Sequence, residues 1–280
     1  MITVTIVGTG LIGGSLAIAL KEKGIAGKVI GVEANAAHLQ RALDLRLIDE
    51  GAPIEEALKR SDLVVLAVPV NAAEQLLPGI MDKVDRQVVM DVGSTKHGII
   101  SVVEKHPKRS RFVATHPMWG TEYSGPDAAT GGAFINKATV ICNREENDAD
   151  ALELVEEMYK GIGMRLLYMN AAAHDLHAAY VSHISHITSF ALANTVLEKE
   201  REEDAIFELA SGGFESTVRL AKSNPSMWVP IFMQNRENVL DVLNEHISQL
   251  RKFKSCLEKE NYEYLKELIE NANKIRKIIK

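Results

Sequence analysis

The fold is decided near the start of the chain, by Ile2-Thr3-Val4-Thr5-Ile6-Val7 and then Gly8-Thr9-Gly10-Leu11-Ile12-Gly13. The first run is rich in apolar and β-branched residues, which is typical of a buried parallel strand. In a Gly-x-Gly-x-x-Gly loop, the first glycine permits a tight turn and the second lets the backbone approach a pyrophosphate. The third lets the following helix pack closely on the strand. A helical pattern to about Lys23 and a strand over residues 28–32 follow, which predicts a dinucleotide-binding βαβ unit.

Glu33 ends this second strand, about 20 residues past the glycine loop. Its carboxylate would accept hydrogen bonds from a ribose diol and repel a 2′-phosphate, which favours NAD over NADP. The alternative for Glu33 is an ordinary exposed charge at a strand end. The residues expected to bind the cofactor are Gly8, Gly10, Leu11, Ile12, Gly13, Glu33 and, after the third strand, Val68 and Pro69.

Strand and helix patterns alternate through the first part of the chain, which predicts an α/β fold with a doubly wound, mostly parallel Rossmann sheet. After residue 168 the patterns are helical only, including a short acidic helix over 202–209. We therefore expect an NAD-binding Rossmann domain over 1–168 and an all-helical substrate-binding and dimerisation domain over 169–280. The later strands are predicted at 62–69, 87–92, 111–115, 138–142 and 164–168.

Composition excludes several classes of function. The net charge is −6, from 32 basic and 38 acidic residues, so no basic excess is available for nucleic acid. No apolar run approaches the ~20 residues that span a bilayer. Cys142 and Cys256 lie far apart, without the spacing of metal ligands or of a disulfide framework. We expect a cytoplasmic protein that binds no metal, membrane or nucleic acid.

Two polar residues follow predicted strands, where ligands of such sheets collect. Ser94 comes after the fourth strand and is also a good helix N-cap, a role that is compatible with a hydrogen bond to a substrate. His116 ends the fifth strand, where the alternatives are a general base and a loop histidine without a task. We predict that both residues are catalytic.

The long helical pattern over 170–200 carries Ser182, His183 and His186 at its centre. Histidines three residues apart lie on neighbouring turns and can reach one pocket, although packing between helices is the simpler interpretation. Arg219 follows a break at Gly212-Gly213, and its guanidinium suits a substrate carboxylate. Trp228, at helical spacing from Phe232, is typical of a core or an interface.

Several motifs occur together and in order along nearly the whole chain. With them the sequence resembles the prephenate/arogenate dehydrogenase family. They are the glycine loop, Asp91-Val92-Gly93-Ser94-Thr95-Lys96, His116-Pro117-Met118-Trp119-Gly120-Thr121-Glu122, His174-Asp175, Val181-Ser182-His183-Ile184-Ser185-His186, Ser211-Gly212-Gly213-Phe214 and the run from Arg219 to Trp228.

The resemblance implies an NAD-dependent enzyme that oxidises and decarboxylates prephenate to 4-hydroxyphenylpyruvate, in tyrosine biosynthesis. It implies that His116 accepts the proton of the ring hydroxyl and that Ser94 orients this hydroxyl. The helical C-terminal half leads us to expect a homodimer formed through its helices, and the resemblance implies that Trp228 reaches the pocket of the partner subunit. The residues implied in substrate binding are Ser182, His183, His186, Arg219, Thr121, Gly212 and Trp228.

Three alternatives remain open on sequence alone. Arogenate differs from prephenate by one side-chain amine, so an arogenate dehydrogenase has nearly the same requirements. A β-hydroxyacid dehydrogenase or an imine reductase also combines a dinucleotide domain with a helical C-terminal half, but the hydroxyacid enzymes use a helix lysine with a nearby asparagine. A non-catalytic NAD-binding regulator would bind the cofactor and leave His116 without a task.

Overall fold

The computed structural model describes residues 1–201 and 206–278, and in these ranges eight strands form one sheet. The strand order is β3-β2-β1-β4-β5-β6-β7-β8, and β7 is antiparallel to β6 whereas the other neighbours are parallel. The predicted doubly wound, mostly parallel sheet is confirmed. The strands are β1 Ile2–Val7, β2 Ala26–Val32, β3 Glu50–Gly51, β4 Leu63–Leu66, β5 Val88–Asp91, β6 Phe112–Pro117, β7 Ala138–Cys142 and β8 Arg165–Met169.

Strand β3 is the one that the sequence pattern did not predict. It has two residues and pairs only with Ile30 and Gly31 of β2. Two residues are too few to show the alternation or the apolar run by which a strand is recognised.

Twelve α-helices lie in the described residues, and none of these helices is long and apolar enough to cross a membrane. Of the acidic helix predicted over 202–209, residues 202–205 lie outside the described ranges, and Phe207–Leu209 is a 3₁₀ turn. The helices are α1 Leu11–Glu22, α2 Ala36–Asp44, α3 Ile54–Lys59, α4 Val70–Lys83, α5 His97–Ser101, α6 Ala149–Gly161, α7 Ala171–Ala178, α8 Ile184–Glu200, α9 Gly212–Val218, α10 Pro225–Gln234, α11 Arg236–Glu258 and α12 Tyr262–Asn273.

Both faces of the sheet are buried, as the side chains of strand β4 show. Leu63 and Val65 belong to one core cluster, whereas Val64 and Leu66 belong to the cluster on the opposite face. Successive side chains of a strand point to opposite faces, so a strand buried on both sides reads as an unbroken apolar run. This explains why the strand was visible in the sequence.

The chain divides into two compact units, Met1–Asn235 and Arg236–Lys280. The first contains the sheet together with helices α1 to α10. In the second, α11 and α12 contact each other, and the Asn261 side chain caps α12 by accepting a hydrogen bond from the amide of Tyr264 at 3.0 Å. The functional division that we expect at residues 168 and 169 stays a prediction.

The glycine loop joins β1 to α1 through contacts that leave no space for side chains. Gly8 has a φ of +96°, and a Cβ there would lie 2.6 Å from the carbonyl oxygen of Ala67. A Cβ on Gly13 would lie only 2.1 Å from the carbonyl oxygen of Gly8. The close approach of helix to strand that the motif predicts is therefore present.

We predict that Gly13→Ala lowers the free energy of unfolding by about 3 kcal/mol or more, because the methyl group meets backbone that has no room to move. Gly79→Ala is the matched control. Gly79 also lies inside a helix, but nothing is within 4 Å of its would-be Cβ. That variant should be neutral or stabilised by up to about 1 kcal/mol. Denaturant unfolding of both variants is the measurement, and equal stabilities would contradict this packing.

Candidate active site

A cleft of about 340 Å³ opens at the carboxyl ends of β1, β4 and β5. Every residue predicted to bind the cofactor lines it except Gly13, which lies behind the loop and packs α1 on the strand. Ser94 also lines the cleft. The predicted lining residues are Gly8, Gly10, Leu11, Ile12, Glu33, Val68 and Pro69, and those that sequence reasoning missed include His38, Tyr123, Ser124, Gly125, Asn224 and Met227.

The carboxylate of Glu33 is held at the end of β2 by three donors. One oxygen accepts hydrogen bonds from the Thr9 amide at 3.0 Å and the Thr9 hydroxyl at 3.2 Å, and the other accepts from the Asn35 amide at 3.1 Å. Each carboxylate oxygen has two acceptor sites, so the oxygen bonded to Asn35 keeps one site for a ribose hydroxyl in the cleft. Glu33 is thus a positioned acceptor rather than a loose surface charge.

The start of α1 fits a dinucleotide. Its N-cap is Gly10, and no side chain caps the helix, so the first amides are not used by a side-chain cap. A Cβ on Gly10 would have nothing closer than the Gly125 nitrogen at 3.9 Å, which leaves room above the loop. A pyrophosphate at these amides and a ribose at Glu33 are the groups that this cleft accommodates.

His116 lies near the carboxyl end of β6, beside β5 in the sheet, and is partly exposed. Its Nδ1 is 2.8 Å from Nε2 of His174, and the two rings meet edge to face. Burial lowers the pKa of His116 well below its usual value, and the ammonium of Lys96 acts in the same direction. The imidazole is therefore uncharged at neutral pH, as a general base must be.

Asp175 caps helix α5, and the alternative role of Ser94 as the N-cap of this helix does not hold. The helix starts at His97, and the Asp175 carboxylate accepts hydrogen bonds from the amides of Lys96 at 2.8 Å and His97 at 2.9 Å. Asp175 also lies 2.7 Å from Nδ1 of His174. Because a residue of α7 provides the cap, Ser94 is left at the wall of the nucleotide cleft.

A buried ion pair joins Lys96 to Asp91 under this site, and both side chains are almost inaccessible to solvent. Asp91 also accepts hydrogen bonds from the amides of Gly93 at 2.9 Å and Thr115 at 3.2 Å. Burial raises the pKa of Asp91, and the neighbouring Lys96 ammonium opposes this rise. The pair holds the loop after β5 close to β6, and it supplies one of the positive charges near His116.

The two helix histidines have different surroundings. Between α7 and α8, residues Ala179–His183 form a π-helical turn, a feature frequent at functional sites. His183 is buried, its Nδ1 is 3.1 Å from the Asn235 amide nitrogen, and burial lowers its pKa to about 4. His186 is partly exposed, stacks on Trp228 at 3.4 Å and places Nδ1 3.1 Å from the Ser182 carbonyl. Ser182 thus contributes its backbone.

Arg219 forms an ion pair with Glu122, with 2.9 Å between Nη1 and the carboxylate, and half of its side chain is exposed. The hydroxyl of Thr121, next to Glu122, accepts a hydrogen bond from the amide of Tyr123 at 3.3 Å. Gly212 is exposed at the start of α9, with open space around it. These contacts do not bring Thr121 or Gly212 to His116, and their part in substrate binding stays a prediction.

Sequence reasoning missed roles for His174, Asp175 and Asn235. The first two stood in a family motif, but nothing along the chain indicated that α7 lies against α5. Asn235 donates to the Asp175 carbonyl at 2.7 Å and has no motif of its own. Among the described residues, no group of three or more His, Cys, Asp or Glu side chains is placed to hold a metal ion.

The chain matches known proteins along nearly its whole length. Prephenate dehydrogenase of Bacillus subtilis (strain 168) is 30% identical over 278 residues, covering 98% of this chain and 75% of that protein. Cyclohexadienyl dehydrogenase of Zymomonas mobilis is 29% identical, covering 99% and 96%. The structure of prephenate dehydrogenase from Aquifex aeolicus, in complex with hydroxyphenyl propionate and NAD+, superposes with a TM-score of 0.91 at 31% identity, covering 100% and 99%.

Two family models cover the chain in sequence. The one described as prephenate dehydrogenase, nucleotide-binding domain, matches residues 16–168. The one described as prephenate dehydrogenase, dimerization domain, matches residues 170–271. The chain belongs to the prephenate dehydrogenase family of NAD-dependent oxidoreductases.

Proposed function

We propose that this chain oxidises and decarboxylates prephenate to 4-hydroxyphenylpyruvate and performs the proton transfer at His116. The observation that carries the proposal is an uncharged imidazole at the end of β6, next to the loop that places Ser94 in the nucleotide cleft. NAD+ bound in that cleft supplies the hydride acceptor. Loss of the ring carboxylate as CO₂ is driven by aromatisation, so the protein must position the substrate and take one proton.

In this proposal, His116 accepts the hydroxyl proton while Ser94 orients the same hydroxyl. A serine hydroxyl has one donor and two acceptor sites, so it can bond the substrate from the wall of the cleft. Positioned general bases contribute about 10²–10⁴-fold to a rate. Removing His116 should therefore cost far more in kcat than in substrate affinity.

Arg219 is assigned to a carboxylate of the substrate. Its Nη1 pairs with Glu122, but a guanidinium carries five N–H donors, so it can take a carboxylate and keep this contact. The half-exposed side chain is accessible to a ligand.

The two histidines are suited to different polar groups. A carbonyl only accepts, so Nδ1 of His186 donates to Ser182 and its Nε2 can donate to a carboxylate only when the ring is protonated. Burial lowers the pKa of His186, so its ring is neutral unless a bound anion favours protonation at Nε2. The neutral ring stacks on Trp228 and forms part of the pocket wall. His183 accepts from Asn235 at Nδ1, which leaves its proton on Nε2 even in the neutral ring.

Prephenate is preferred to arogenate because both matching family models and the Bacillus subtilis relative, matched over 98% of this chain, are named for prephenate. A solved arogenate dehydrogenase from Synechocystis superposes less closely, with a TM-score of 0.77 at 25% identity. The hydroxyacid-enzyme and regulator alternatives share the nucleotide cleft, but both family models that match the chain are named for prephenate dehydrogenase.

A homodimer through the helical half is supported by the dimerization-domain match and by exposed apolar side chains such as Val229 and Met233 on α10. We also propose a cytoplasmic location, because neither Cys142 nor Cys256 is in a disulfide. Burial raises the pKa of the Cys142 thiol to about 12, which makes it unreactive.

The direct test is NADH formation with prephenate and with arogenate, each offered with NAD+ and with NADP+. We expect turnover with prephenate and NAD+, and a fall in kcat of about 10²–10⁴-fold in His116→Ala. His177→Ala is the matched control, since this histidine is exposed on α7. Unchanged turnover in His116→Ala would refute the assigned base, and efficient use of NADP+ would refute the role of Glu33.

The pH dependence of kcat/KM tests the state of His116 in the free enzyme. The base must be uncharged, so the rate falls as pH falls through its pKa. That pKa lies well below 6.5, so we expect a level profile from neutral pH to below 6.5 and a decline only in more acid solution. Tryptophan fluorescence at each pH shows that the protein stays folded. A decline centred at or above pH 6.5 would be the contrary result.

A further inference from the structure

Two buried residues adjoin His116 without a role in the proposed reaction. His174 and Asp175 are 2% and 3% exposed, so neither is placed to hold a substrate in solvent reach. They form an unbroken chain with the base, 2.8 Å from His116 to His174 and 2.7 Å from His174 to Asp175. Burying two ionisable groups in contact is costly, which calls for a specific reason.

The direction of each hydrogen bond follows from what the groups can donate. The Asp175 carboxylate accepts hydrogen bonds from the amides of Lys96 and His97. The bond from His174, together with these two, lowers the pKa of Asp175 although burial raises it. An ionised carboxylate only accepts, so Nδ1 of His174 carries a proton. In its neutral form His174 then has no proton on Nε2, which must accept from Nδ1 of His116. This leaves Nε2 of His116 with its lone pair.

We infer that His174, held by Asp175, is a positioning residue that selects the tautomer of His116 and so makes Nε2 the basic nitrogen. The inference rests on the proposed function, in which His116 takes the hydroxyl proton. When Nε2 accepts that proton, the new imidazolium keeps its Nδ1 proton and donates to His174. No second proton moves, and the carboxylate of Asp175 faces the positive charge across one ring.

Asp175 is suited to this task because its position is set from several sides. The amides that Asp175 caps belong to the segment that carries Ser94. The backbone carbonyl of Asp175 accepts a hydrogen bond from the Asn235 side-chain amide at 2.7 Å. The orientation of the His174 ring is thus coupled to the loop that holds the substrate hydroxyl. A residue that only capped α5 would not need a histidine between itself and the base.

The first test is NMR of the wild-type enzyme labelled at its histidine ring nitrogens, with His116 assigned by comparison with His116→Gln. We expect the Nδ1–H tautomer at neutral pH, with Nε2 unprotonated. An Nε2–H tautomer, which a doubly protonated His174 would impose, overturns the inference. Because this measurement needs no substrate, its outcome is independent of whether prephenate is turned over, so failure of the inference and failure of the proposed function are separate results.

The second test compares His174→Leu and His174→Gln with the wild type. In His174→Leu we expect His116 to lose its preference for the Nδ1–H form and kcat to fall by about 10²-fold. KM for prephenate should stay within about threefold, because His174 is 2% exposed and thus shielded from a substrate. The Gln oxygen can accept from His116, so His174→Gln should recover part of kcat.

The control variant is His177→Leu, an exposed histidine of the same helix, which should match the wild type. Thermal unfolding of each variant separates loss of fold from loss of rate. If His174→Leu is folded and turns over at the wild-type kcat, or changes only KM, the inference is wrong. If His174→Leu does not fold, the tautomer measured in the wild type and the kcat of His174→Gln decide the matter.

Discussion

The arrangement of this site depends on the hydrogen bonds that the carboxylate of Asp175 accepts. It is buried, so it must be fully paired, and its partners are two backbone amides at the start of α5 and one imidazole. Backbone donors cannot rotate away as side chains can. The contact therefore sets where α7 lies against the loop after β5, and it holds the histidine beside the base.

The cofactor and substrate sides of the cleft are built by different means. The glycine loop depends on residues without side chains. Helix, strand and neighbouring backbone lie so close together there that a single methyl group would clash with them. The proposed substrate side works by side chains on separate elements, with His116 on β6 and Ser94 after β5. The parallel order of β1, β4, β5 and β6 joins these sides at one edge of the sheet.

Two histidines three residues apart, at the end of the π-helical turn and at the start of α8, make different hydrogen bonds. His183 ends that turn and faces the Asn235 amide, whereas His186 lies on the first turn of α8 against Trp228. Their free nitrogens consequently differ in kind, a donor on His183 and an acceptor on neutral His186.

The sequence by itself determined the Rossmann sheet and the nucleotide cleft, because strands buried on both faces and a glycine loop leave local patterns. It also indicated His116 and Ser94, since strand ends are visible along the chain. It did not indicate β3, the cap of α5 by Asp175, or the pairing of His174 with His116 and of Arg219 with Glu122. Partners such as Asp175 and His97, or Arg219 and Glu122, are 78 and 97 residues apart. Only tertiary packing brings such groups within hydrogen-bonding distance, because no local preference of the chain specifies which helix meets which loop.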